Sequence, residues 1–142
     1  MILRLPTIHD VRRIDVQFIA DERGALTILD EAILPLEAIR RVFVVHGEDG
    51  VSRGDHAHIR CAQLLVCLTG RCTVEWTDGT DRASLTLDTP RQGLLIPAGI
   101  WSHQVYDRGA TLMVLCDRSY EADDYIRDYD QFLAFRREMV PT

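Results

Sequence analysis

The residues richest in chemistry lie in one short run, Arg53-Gly-Asp-His56-Ala-His58, with Gln63 shortly after it. Residues i and i+2 of a β-strand project to one face, so His56 and His58 can enter a shared space together. Imidazole titrates near 6.5, which suits such a pair either to bind a divalent metal or to pass protons near neutral pH. Gln63 offers only a neutral amide, a poor ligand for a divalent ion. Two satisfied core histidines would be the bland alternative, and the neighbouring Arg53 and Gln63 argue against it.

Several elements must position these residues. Val11 to Ile19, Ala25 to Leu29, Arg40 to His46, Gln63 to Leu68, Cys72 to Trp76, Ala83 to Leu87, Gly93 to Ile96, Trp101 to Tyr106 and Ala110 to Cys116 all read as strands. Asp78-Gly79 supplies a hairpin turn. The only helical spacing is in the tail, from Asp130 as N-cap through Phe132, Leu133 and Phe135. Asp117 to Asp130, rich in carboxylates, reads as a solvated surface. No linker or repeat divides the 142 residues, so a single all-β domain over 1–142 is expected.

Composition narrows the function classes. The chain has no lysine, which removes Schiff-base and phosphate-loop chemistry. Its net charge is −6, so no basic stripe is available for nucleic acid, although arginines gathered at one pocket would still hold a small anion. No segment is apolar enough to span a membrane, and the first ten residues lack a secretory pattern, which points to the cytoplasm. The four cysteines form no C-x-x-C and read as buried thiols.

The spacing Gly50…His56-x-His58…Gln63…Gly70, followed by Gly93-Leu-Leu-Ile-Pro97-Ala-Gly99-Ile-Trp-Ser-His103, resembles the two motifs of the cupin superfamily. That resemblance implies a double-stranded β-helix, a jelly-roll barrel, here with a short C-terminal helix. In metal-binding cupins a Glu and a third His complete the ligand set. Gln63 stands at the Glu position and Ser102 at the third-His position. His103 is one step late, which turns it to the opposite face unless a bulge restores it. The sequence therefore predicts no metal and no other cofactor.

A narrower likeness spans nearly the whole chain. Asp21-Glu-Arg-Gly24, Arg40-Arg-Val-Phe43, Arg53-Gly-Asp-His-Ala-His58, Gln63 to Gly70, Gly93 to Trp101 and a tail Tyr120-x-x-x-Asp-Tyr-Ile-Arg-x-Tyr129 occur in that order. This resembles the nucleotide-sugar 3,4-ketoisomerases, the FdtA/QdtA (WxcM-like) cupins. The resemblance implies a metal-free homodimer that converts dTDP-4-keto-6-deoxyglucose to its 3-keto isomer, feeding synthesis of 3-amino-3,6-dideoxysugars. It makes His56 and His58 the catalytic pair, with His56 working at carbon and His58 serving oxygen or holding His56 in its tautomer. Arg23 and Arg41 are candidates for the enediolate and the sugar, and Arg53 for the pyrophosphate. Trp101, Tyr106 and Tyr120 are candidates for the nucleotide base. Gln63 would bond the substrate or satisfy a histidine, and the tail motif would be a structural clamp. Competing readings are a metal-dependent cupin enzyme and a non-catalytic nucleotide-sugar-binding cupin.

Overall fold

The computed structural model describes residues 4–139. Its strands in chain order are β1 (Arg12–Asp15), β2 (Gln17–Asp21), β3 (Gly24–Ile28), β4 (Arg41–His46), β5 (Ser52–His58), β6 (Gln63–Thr77), β7 (Arg82–Leu87), β8 (Gln92–Ile96), β9 (Trp101–Cys116) and β10 (Tyr125–Ile126), followed by helix α1 (Tyr129–Glu138).

Two long antiparallel strands organise the fold. β6 and β9 pair almost end to end, from Gln63↔Cys116 to Thr77↔Trp101. The first half of β6 also pairs with β8 and its second half with β7. The first half of β9 pairs with β5 and its second half with β4. Each long strand thus serves both faces of a jelly roll, turning from one to the other at register shifts between Cys67 and Arg71. Gly70 sits at that turn with φ +72°, where a Cβ would lie 2.6 Å from the Arg108 carbonyl oxygen, so only glycine fits.

Sequence reading split both long strands at Gly70 and before Ala110; the structure keeps each continuous, because a bulge bends a ladder without ending it. It also breaks the expected Val11–Ile19 strand at Val16, which is buried and bonds to Arg91. β2 and β3 then form a separate hairpin. The Asp78-Gly79 turn is present, with the Asp78 carboxylate accepting from Thr80 and Asp81.

The main core is enclosed by the barrel and includes Leu65, Val74, Leu94, Tyr106 and Leu112. All four cysteines are buried and free, as expected. At one end, Phe132 of α1 packs with Ala57, Trp101 and Ile126, so the helix is docked on the sheet. Its N-cap is Asp128, whose side chain accepts from Gln131, rather than Asp130. The short β10 was not foreseen: Tyr125 and Ile126 lie opposite His58 and Ala57 of β5. The tail is therefore hydrogen-bonded to the strand that carries the His-x-His pair.

Candidate active site

A bulge in β5 sets up the pair. Gly54 and Asp55 both have positive φ, and the β5–β9 register shifts between Gly54 and His56. Gly54 has φ +97° and packs against β9, where a Cβ would meet the His103 Cα at 3.0 Å. After the bulge His56 lies opposite Ser102. His56 and His58 stand edge to face, their ring centroids 4.9 Å apart. The parity expectation for the two holds.

Parity also holds across β9. Ser102, Gln104 and Tyr106 lie on the inner side, while Trp101 and His103 border an outer depression of about 320 Å³. There His103 lies 3.6 Å from both Asp55 and Glu75, away from the histidine pair. Trp101, expected beside a ligand base, belongs instead to the packing under α1, with Tyr129 at 5.2 Å and Phe132 at 5.6 Å. The reason is that it shares the face of His103 and not that of Tyr106.

His56 lines an inner cavity of about 510 Å³ together with Arg41, Arg53, Gln63, Gln104, Tyr106, Tyr125 and Arg127. Of the residues picked from sequence, Arg41, Arg53, Gln63 and Tyr106 are therefore brought to His56. Arg23 is not: it sits on the exposed β2–β3 hairpin, bound to Asp21 at 2.6 Å, and borders a different, smaller depression. The hairpin forms its own sheet, which carries Arg23 away from this cavity within one chain. Tyr120, the third aromatic candidate, is exposed and packs near Tyr125 and Arg41 at the cavity's margin.

The tail contributes more than a clamp. Because Tyr125 faces His58 across β5–β10, its ring lies 4.4 Å from His58 and 5.2 Å from His56. Arg41 Nη1 donates to the Tyr125 hydroxyl at 3.2 Å, and the Arg127 guanidinium covers the Tyr125 ring at 4.3 Å. Asp124 is buried beneath His58, its Oδ2 2.9 Å from Nδ1, and so departs from the solvated surface expected of the acidic stretch. Sequence reasoning missed Gln104, Asp124, Tyr125 and Arg127. For the last three the signal was the tail motif itself, quoted for its specificity but read only as packing; for Gln104 it was the period-two spacing with Tyr106 on β9.

The electrostatics are one-sided. Arg41, Arg53 and Arg127 line the cavity with no carboxylate among the lining residues, and none of the three forms a salt bridge among the described residues. In a chain of net charge −6, that concentration suits an anionic ligand. Burial holds the His56 pKa down at about 4, so the ring is neutral at physiological pH. The Gly54 carbonyl 2.9 Å from Nδ1 fixes the proton there and leaves a lone pair on Nε2. Burial also lowers His58, opposed by the hydrogen bond and charge of Asp124. Burial pushes the Tyr106 phenol up to about 12, and its hydroxyl bonds Gln104 at 3.4 Å. Gln63 Nε2 donates to the Cys116 sulfur at 3.4 Å.

One group of potential metal ligands converges among the described residues: His58, Cys61 and Asp124, with donor atoms within 4.8 Å of one another. The Asp124 carboxylate there already accepts from Arg60 and Cys61 backbone amides as well as from His58. Hydrogen bonding accounts for the cluster. Gln63, at the Glu position of metal-binding cupins, lines the cavity as an amide.

Comparison with known proteins agrees with this geometry. Residues 9–137 match a family profile described as FdtA: WxcM-like, C-terminal. A TDP-4-oxo-6-deoxy-alpha-D-glucose-3,4-oxoisomerase from Aneurinibacillus thermoaerophilus is 38% identical over 122 residues, covering 84% of this chain and 87% of that enzyme. A 3,4-ketoisomerase from Helicobacter canadensis superposes with TM-score 0.84 at 32% identity, covering 90% of this chain and 98% of its own. QdtA, a sugar 3,4-ketoisomerase from Thermoanaerobacterium thermosaccharolyticum solved in complex with TDP, superposes with TM-score 0.86 at 30% identity over 92% and 97% of the two chains.

Proposed function

The chain belongs to the FdtA (WxcM-like) family and is a TDP-sugar 3,4-ketoisomerase, and on that premise we propose how its residues divide the work. The substrate is TDP-4-keto-6-deoxyglucose. Moving its ketone from C4 to C3 removes the C3 proton, forms a 3,4-enediol and returns a proton to C4, while the two oxygens exchange one. The sum is redox-neutral and needs no oxidant.

The observation that carries this reading is an imidazole pair beside a cavity lined by three arginines and no carboxylate. His56, on the cavity wall with a free Nε2, takes the proton at carbon. His58, packed behind it, serves the proton traffic at oxygen. Arg41 with the Tyr125 hydroxyl stabilises the enediolate, since both are donors fixed before charge develops. Arg53 and Arg127 hold the diphosphate. Tyr106 and Gln104 shape the inner wall, and Gln63 keeps its amide oxygen for a substrate hydroxyl.

The same reading makes the protein a cytoplasmic homodimer supplying a 3-keto sugar to an aminotransferase for 3-amino-3,6-dideoxysugar synthesis. Support for a partner copy comes from β4, which among the described residues pairs with β9 alone and exposes Val42 and Val44, and from exposed Ile19 and Leu26 on the β2–β3 hairpin. No helix among the described residues is long and apolar enough to cross a membrane.

An NMR time course with TDP-4-keto-6-deoxyglucose in deuterated water tests the activity and its route. The 3-keto isomer should accumulate with deuterium entering from solvent. His56→Asn should abolish that uptake while TDP still binds. Uptake at the wild-type rate in the variant would place the carbon base elsewhere.

A further inference from the structure

Among the described residues, Asp124 is the carboxylate hydrogen-bonded to the histidine pair. It is 3% exposed, His58 is 7% exposed, and Oδ2 lies 2.9 Å from Nδ1. We propose that Asp124 is a positioning residue for His58, holding the ring with its proton on Nδ1 so that Nε2 is the atom that accepts and returns protons. This rests on the reading that His58 belongs to the acid–base pair.

The argument is geometric. An ionised carboxylate only accepts, so the nitrogen facing it must carry hydrogen. The carboxylate is itself immobilised: Oδ1 accepts from the Arg60 amide at 2.6 Å, Oδ2 from the Cys61 amide at 3.3 Å, and the Asp124 carbonyl accepts from the Ile59 amide at 2.9 Å. It cannot swing away to leave the ring free to turn over. On the far side of the ring, Nε2 is enclosed and has no partner among the described residues. A buried polar atom without a partner is costly to the fold, and such atoms concentrate where a ligand or a reaction supplies what is missing. When Nε2 takes a proton the ring becomes a cation, and the adjacent carboxylate stabilises that state. A base held in its tautomer by a third group is the arrangement that activates nucleophiles and general bases elsewhere. Asp124 and Tyr125 are consecutive, Asp124 immediately preceding β10, so one short segment both orients His58 and supplies the hydroxyl that Arg41 engages.

The test is Asp124→Asn, which keeps shape and one acceptor oxygen but loses the charge. With TDP-4-keto-6-deoxyglucose, kcat should fall by about a hundredfold or more, by analogy with an orienting aspartate in a triad. KM and the Kd for TDP should stay within about threefold, because on this reading Asp124 acts through His58 and does not hold the ligand. Asp123→Ala, which removes the neighbouring exposed carboxylate and its ion pair with Arg60, serves as the structural control and should leave kcat unchanged. In the wild-type protein, ¹⁵N NMR should show the His58 proton on Nδ1 at neutral pH. Wild-type kcat in a folded Asn variant, an equal loss of kcat in Asp123→Ala, or a proton on Nε2 in the wild type would each overturn the proposal. If the Asn variant does not fold, the wild-type tautomer decides. If the wild type fails to turn the sugar over, the functional reading fails instead, and the tautomer measurement still judges Asp124.

Discussion

Replacing His56 by Gln should remove a pH-dependent loss of stability that the wild type shows between neutral pH and pH 5. Burial holds the folded pKa of His56 at about 4, against 6.5 for the exposed ring. Above about pH 7.5 both states are neutral and the ring contributes nothing to pH dependence. As the pH falls through about 6.5 the unfolded chain takes up a proton that the folded chain refuses, so stability drops with acidification. Linkage between those two pKa values makes the loss about 2 kcal/mol at pH 5, approaching about 3 kcal/mol near pH 4, where it levels off. The choice of pH 5 separates this from the carboxylates. Asp10, Asp21, Asp78 and Asp107 have depressed pKa values, so their contribution is still present at pH 5 and is lost only at lower pH. His58 acts in the same direction as His56 and remains in the variant. The assay is urea unfolding of both proteins at pH 7.5 and 5.0, at equal concentration. The variant's drop between the two should be smaller than the wild type's by about 1–2 kcal/mol. An equal drop would mean that His56 titrates like a solvated imidazole, and the case for a neutral proton acceptor in a desolvated cavity would go with it.

Other outcomes follow from the same geometry. Arg127→Met should weaken TDP binding by about 10–100-fold by calorimetry, the size of a lost charge-assisted hydrogen bond, with unfolding little changed because no carboxylate is left unpaired. Tyr125→Phe deletes the hydroxyl that Arg41 engages and should lower kcat by about 10–100-fold with KM nearly constant, the pattern of an interaction used mainly in the transition state. His103→Gln should leave turnover within about twofold, since this ring lies on the outer face; a large loss would show the parity assignment to be wrong. Gly70→Ala should cost about 3 kcal/mol or more in denaturant unfolding, combining a positive φ with a Cβ 2.6 Å from backbone.

Much of the fold was legible because strand physics is local. Period-two alternation and turn residues mark the strands, and parity alone assigned His56 and His58 inward and His103 outward. Continuity was less legible. Gly70 looks like a terminator in one dimension, yet β6 runs through it because β9 stays paired on both sides of the bend. The candidate site divided in the same way. Arg41, Arg53, Gln63 and Tyr106 reach the cavity because they occupy inward positions near the histidines. Trp101 and Arg23 do not, one through its parity and the other through a hairpin that leaves the barrel.

What the sequence determined by itself was the chemistry on offer: two histidines on one face, amide and hydroxyl where metal ligands would stand, arginine as the only strong cation, and a tail too specific to be filler. Only the tertiary structure decided which groups those histidines meet. β10 adds to β5 in the register Tyr125↔His58, some 66 residues after the ring that Asp124 touches, and thereby delivers Asp124, Tyr125 and Arg127 to the pair. That pairing depends on where α1 docks and how the barrel end closes, and these are long-range packing outcomes with no local signature. A buried aspartate in an acidic stretch reads as solvated until the chain has folded over it, because burial is a property of its neighbours in space.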